Sequence, residues 1–152
     1  MPRVAALDVG NATIGVAVSD ELGITANPVC TIRRSRSLKT DLRAVEDILT
    51  KLGADKVVVG IPLTAEGEEG IQAAKVKEFS NRLAKRLKIP IDYWDESFST
   101  ADAEHILIEM DTSRAKRRKV IDKVAAAVIL ESYLREAESR KAKQEKKENS
   151  DL

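Results

Sequence analysis

The stretch Arg3-Val4-Ala5-Ala6-Leu7-Asp8-Val9-Gly10 constrains this chain most. Four apolar residues in a row read as a buried strand, and the run ends in one acid followed by a glycine turn. Asp8 is therefore expected at the end of a strand in the middle of a sheet. A buried carboxylate is costly unless a cation or hydrogen-bond donors satisfy it. Asp8 thus implies a metal, a basic side chain or a satisfied turn.

The neighbouring segments supply the sheet. Gly10-Asn11 is turn chemistry, and Ile14-Gly15-Val16-Ala17-Val18-Ser19 reads as a second strand antiparallel to the first, closed by Asp20. Gly23 marks a turn before a third strand, Ile24 to Ile32, in which Pro28 demands an edge position. Leu38, Leu42, Val45, Ile48, Leu49 and Leu52 recur at helical spacing, with Ser37 as N-cap and Gly53 just past the end. Val57-Val58-Val59-Gly60 reads as a buried parallel strand stopped by Pro62. After a polar loop over 64–70, Ile71 to Leu87 is helical through Ala74, Val76, Phe79, Leu83 and Leu87. Ile89 to Trp94 is a fifth strand, followed by Asp95-Glu96.

Ser99 with Asp102 opens a further helix, striped by Ala103, Ile106, Leu107 and Met110. The dense basic run Arg114-Ala115-Lys116-Arg117-Arg118-Lys119 reads as a connector, and Val120 to Leu134 as the last apolar helix. From Arg135 the apolar stripe is lost, so a fraying helix end and then a disordered tail over 139–152 are expected. The order βββαβαβαα gives one α/β domain, 1–138, with helices on both faces of a mixed five-stranded sheet.

Charge and cysteine content narrow the function classes. Lys+Arg 26 against Asp+Glu 25 leaves a net charge of +1, so nucleic-acid affinity must come from local basic clusters. The single cysteine, Cys30, excludes an internal disulfide or a CxxC site, and no apolar run approaches a membrane span. The expected protein is soluble and cytoplasmic, without a leader segment.

Three acids sit at element edges beside apolar neighbours: Asp8, Glu96 and Asp122. Asp122 precedes Ala125, Ala126 and Ile129 at i+3, i+4 and i+7, which places it on the packed side of its helix. Three converging carboxylates repel one another unless a divalent cation neutralises them. Oxygen-only ligands suit Mg²⁺ or Mn²⁺, which support phosphodiester hydrolysis. Each acid also has a structural reading, as a turn, a cap or the partner of a basic residue. His105, outside its helix's apolar stripe, reads as a surface residue. The basic run contributes Arg114, Lys116, Arg117, Arg118 and Lys119 as candidate phosphate-binding residues, and Arg33, Arg34, Arg36 and Lys39 form a second candidate patch. Aromatics make up only 3 %, so recognition by backbone or shape is favoured over base stacking.

Taken together, Asp8-Val9-Gly10, Ile14 to Asp20, Val58 to Leu63, Asp95-Glu96 with Ser99-Thr100, and Ile121-Asp122 with Ala125-Ala126 resemble the YqgF family. The motifs occur in that family's order across residues 4 to 134. The resemblance implies a ribonuclease H-like fold, kinship with the resolvase RuvC and processing of the 5′ end of precursor 16S ribosomal RNA. It also implies that Asp8, Glu96 and Asp122 are the acidic active-site positions. Ala12-Thr13 and Ser97 depart from the family pattern, which has a Lys-Arg pair and an arginine there; three positive charges beside the implied site are missing. Three carboxylates rather than the four common in related nucleases leave one or two metals open.

The expected function is a metal-dependent nuclease acting on structured RNA, as a monomer or homodimer. A resolvase of branched DNA is the alternative, and a homodimer would favour it because two nicks need two sites. Asp8-Val9-Gly10-Asn11 also resembles the first phosphate loop of actin-like and sugar kinases, but those enzymes need two related domains. A nucleic-acid-binding module without catalysis is the remaining class.

Overall fold

The computed structural model describes residues 3–63, 67–95 and 114–150, the last segment with side chains from 123 onward. Its elements are β1 (Arg3–Val9), β2 (Thr13–Ser19), β3 (Ala26–Arg33), α1 (Leu38–Leu52), β4 (Ala54–Ile61), α2 (Ile71–Leu87), β5 (Ile91–Asp95) and α3 (Arg114–Ser150). The five strands form one mixed sheet in the order β3-β2-β1-β4-β5. β1 pairs antiparallel with β2 and parallel with β4, so the strand carrying Asp8 is central. The expected helix opening at Ser99 lies outside the described residues, as does His105.

Edge placement explains Pro28. β3 is an outer strand, and its ladder with β2 shifts register between Val16 and Ala17, where Pro28 stands opposite Ala17. Proline cannot donate to a ladder and is tolerated at such an edge irregularity. The turn before β3 is fastened by Asp20, whose Oδ1 accepts the Ile24 N–H at 2.7 Å.

Strand alternation sends Ala5, Leu7 and Val9 to one face, where they meet Leu42, Val45 and Leu49 of α1 and Val76, Phe79 and Leu83 of α2. Ala6 goes to the other face and packs with Ala17, Val58, Ala126, Ile129 and Leu130. Helices therefore cover both faces: α1 and α2 on one, α3 on the other.

α1 follows its sequence signals closely. The Ser37 side chain accepts the Thr40 N–H, and Gly53 takes the left-handed conformation with φ 65° that ends the helix. In α2 the buried alanine is Ala73, while Ala74 of the expected stripe is exposed. Cys30, half-buried on β3, packs against the first core cluster, and burial raises its thiol above the ordinary cysteine value.

α3 departs from the sequence expectation at both ends. The basic run Arg114 to Lys119 is its first turns, not a connector, and the helix continues to Ser150, through the segment expected to be disordered. Residues 135–150 are rich in helix-favouring Ala, Glu, Lys, Arg and Gln. They carry i,i+4 pairs such as Glu136 with Arg140. These local terms hold a helix that no longer touches a core.

Candidate active site

Asp8 is the penultimate residue of the central strand and by alternation lies on the α3 face, in phase with Ala6. Its cross-strand partner on β2 is Gly15. On β4, Leu7 pairs with Val59, and the next step of that register sets Gly60 beside Asp8. The carboxylate thus stands between two buried glycines of the neighbouring strands. It is half-buried and has a partner, as a carboxylate in that position requires.

Of the other two predicted acids, Glu96 lies outside the described residues. It follows Asp95, the last residue of β5, which pairs with Ile61 just beyond Gly60. Asp122 lies in α3, one turn before Ala126, and Ala126 is fully buried against the Asp8 face of the sheet. Its side chain lies outside the described set. So do the side chains of Arg114, Lys116, Arg117, Arg118 and Lys119, whose backbone forms the first turns of α3. Lys123, one residue past Asp122, lies near Cys30 on β3, while Ser132 bonds Trp94 on β5. α3 therefore crosses the sheet from one edge toward the other.

The turn that follows Asp8 is held from the opposite face. Gly10 N–H donates to the Thr13 carbonyl at 2.9 Å, and the Arg34 N–H donates to the Ala12 carbonyl at 2.9 Å. The Arg34 side chain reaches back to the same turn, with Nη1 donating to the Gly10 carbonyl at 3.0 Å and Nε to Asp41 Oδ2 at 3.2 Å. Its guanidinium lies over the Phe79 ring at 5.1 Å. Asp41 is only 3 % exposed and also accepts the Ser35 N–H and hydroxyl, at 2.8 and 2.9 Å. Burial by itself would raise the Asp41 carboxyl, but these donors and the Arg34 charge outweigh it and hold it below the usual carboxylate value.

Arg34 is thus no member of a free basic patch: its charge is committed to Asp41. Sequence reading missed this pair because an aspartate in the first turn of a helix already has a local reason to be there. The cavity beside Arg34, about 190 Å³ and lined in part by Asn11, Gln72 and Lys75, lies on the α1–α2 side of the sheet, away from the Asp8 carboxylate.

Comparison with known proteins gives the family and the fold. The family model described as "RuvX: Holliday junction resolvase" matches residues 2–136. A protein of Symbiobacterium thermophilum named "Putative pre-16S rRNA nuclease" is 51 % identical over 132 residues, 87 % of this chain and 91 % of its own length. One of the same name from Heliobacterium modesticaldum is 44 % identical over 149 residues, 98 % of this chain and 99 % of its own. Among solved structures, Thermus thermophilus RuvC in complex with a Holliday junction substrate superposes with a TM-score of 0.60 at 16 % identity, covering 90 % of this chain and 97 % of that one. The RuvC likeness establishes a ribonuclease H-like fold. With a family model spanning all five strands and α3 as far as residue 136, the chain belongs to the RuvX (YqgF) family of nucleases, hydrolases of phosphodiester bonds.

Proposed function

We propose that this protein is a metal-dependent nuclease that processes the 5′ end of precursor 16S ribosomal RNA, with Asp8, Glu96 and Asp122 as its catalytic carboxylates. One observation carries the reading: Asp8 stands on the α3 face of the central strand between Gly15 and Gly60, a carboxylate fixed by ladders on both sides. The substrate rests on the names of the relatives from Symbiobacterium and Heliobacterium.

The donor set is all oxygen, which fits Mg²⁺ or Mn²⁺ and disfavours softer ions. When bound, such an ion neutralises phosphate charge and acidifies a water, the two requirements of phosphodiester hydrolysis. Asp8 would anchor it from a strand whose backbone is fixed on both sides by ladders. Asp122, from a helix buried on the same face, and Glu96, just past β5, would complete the ligand set. The cations from Arg114 to Lys119 share a helix with Asp122, with no acid in its first turn, and would hold the phosphates flanking the scissile bond. Arg34 does not replace the missing cations at Ala12 and Thr13, since its charge is paired with Asp41. Among the described residues no helix is long and apolar enough to cross a membrane, and the compartment this reading implies is the cytoplasm.

The second reading, resolution of a four-way DNA junction, is favoured by the description of the family model. One experiment separates the two. Purified protein with Mg²⁺ or Mn²⁺ is offered a precursor 16S 5′-end RNA and a four-way DNA junction, alongside Asp8→Asn and Asp122→Asn. Cleavage of the RNA alone, abolished by chelation and in both variants, is the expected result. Cleavage of the junction alone transfers the assignment to the resolvase, and no cleavage of either rejects the catalytic reading.

A further inference from the structure

Beyond the sheet, α3 is not a uniformly charged rod. Arg140, Lys143 and Lys147, spaced i, i+3 and i+7 and flanked by Lys146, fall on one side of the helix. Glu138, Glu145 and Glu148 fall on nearly the opposite side. The basic side also has a definite direction. Ala126, Tyr133, Arg140 and Lys147 recur every seven residues, so the stripe that packs on the sheet at Ala126 and Tyr133 continues as the basic stripe where the helix overhangs it.

Beneath the start of the overhang is a cleft of about 370 Å³ whose lining includes Lys56, Trp94, Tyr133, Arg140, Lys141 and Gln144. Trp94 and Tyr133 meet edge to face with centroids 5.5 Å apart, and Trp94 Nε1 donates to the Ser132 hydroxyl at 3.0 Å. Two acids border the cleft and both are already paired. Asp92 lies 2.8 Å from Lys56 and accepts the Tyr133 hydroxyl at 2.9 Å, and Glu136 lies 3.2 Å from Arg140. Lys141, Lys143, Lys146 and Lys147 form no ion pair among the described residues, so the cleft opens onto surplus positive charge. Residues 137–150 are all exposed.

A cationic wall above a ledge with aromatic edges is the combination that binds single-stranded nucleic acid. We propose that the overhang of α3 and the β5 edge form a groove for a single-stranded segment of the substrate. Its phosphates would lie along Arg140, Lys143, Lys146 and Lys147, and a base against the Trp94–Tyr133 pair. The proposal rests on the nuclease reading for the identity of the substrate, but it assigns a site remote from the chemistry. Position 143 is 21 residues along α3 from Asp122, about 32 Å at the helical rise. At about 3.4 Å per stacked nucleotide, the groove engages the strand roughly nine nucleotides from the scissile phosphate.

The test uses the full chain and needs no cleavage. Binding of a fluorescein-labelled single-stranded RNA of about 20 nucleotides is measured against salt without divalent cations, together with the emission of Trp94, the only tryptophan. The variants are Lys143→Ala/Lys146→Ala/Lys147→Ala and, on the opposite side, Glu138→Ala/Glu145→Ala/Glu148→Ala, with helicity checked by circular dichroism. The lysine variant is expected to bind about tenfold more weakly at moderate salt and to flatten the log–log salt slope by about 2, as for three lost phosphate contacts. The glutamate variant should keep the wild-type slope. RNA should quench Trp94. An unchanged slope in the lysine variant overturns the proposal, as does a glutamate variant that gains slope as steeply as the lysine variant loses it, which would mean that net charge alone matters. Failure of the nuclease reading is told apart by Asp8→Asn, which loses cleavage but keeps this binding.

Discussion

The two faces of the sheet are closed in different ways. On one, α1 and α2 bring Leu42, Val45, Leu49, Val76, Phe79 and Leu83 onto Ala5, Leu7 and Val9, a broad core of branched and aromatic side chains. On the other, among the described residues, α3 meets Ala6, Ala17 and Val58 with Ala126, Ile129 and Leu130, a thinner contact in which alanines let the helix approach closely. Asp8 belongs to the thin face, and the Arg34–Asp41 pair that braces its turn belongs to the thick one. Stability and the proposed chemistry are thus divided between two sides of one strand. A carboxylate needs neighbours that leave it room, and a backbone that must not move needs neighbours that do not.

The largest expected effect tests that division on the thin side. Asp8→Asn keeps the shape of the side chain but removes its charge, and should lower cleavage by roughly a thousandfold, about 4 kcal/mol of transition-state stabilisation, with little change in the melting temperature. A variant that loses stability in step with activity would show that Asp8 serves the fold. Next come two leucines, both fully buried, one on each face. Leu83→Ala on α2 should cost about 4 kcal/mol in chemical denaturation, and Leu130→Ala on α3 about 3 kcal/mol, because the smaller contact collapses more readily around a cavity. Equal losses would erase the distinction between the faces.

Asp41→Ala should cost about 2 kcal/mol near neutral pH, since it leaves the Ser35 donors and the Arg34 guanidinium without their acceptor. The sign with pH follows from its lowered carboxyl value. The stabilisation is complete above the unfolded aspartate value of about 3.9 and is lost as pH falls through the folded value. Wild type and Asp41→Ala should therefore converge in stability in strong acid; a gap that stays constant there would assign the loss to packing alone. The smallest effect belongs to Trp94→Phe, which gives up the 3.0 Å bond to Ser132 and should cost about 1 kcal/mol.

What could be read from the chain divides along a physical line. Ser37 and Gly53 bound α1 because capping depends on atoms within a few residues, and β1, β2 and β4 followed from apolar runs that have one way to be buried. The basic run at 114–119 was misjudged because charge without an apolar stripe looks like a connector, yet a helix already nucleated by Ala125, Ala126 and Ile129 extends through it at little cost. Spacing alone assigns Asp122 to the packed side of its helix, an expectation that falls on a side chain outside the described set. Gly15 and Gly60 looked like ordinary strand glycines, and only the ladder sets them on either side of Asp8.

By itself, the sequence determined the five strands, α1, α2 and the apolar middle of α3, the central strand, the edge role of Pro28 and the family, because each depends on local chemistry or on motifs kept in order. The tertiary structure alone decided that Arg34 closes on Asp41 and Gly10 rather than joining a basic patch, and which face of the sheet Asp8 shares. It also decided that the stripe of α3 which packs on the sheet becomes the basic stripe of its overhang. These depend on register and crossing direction, which are set by how whole surfaces fit together and leave no mark at any single position in the chain.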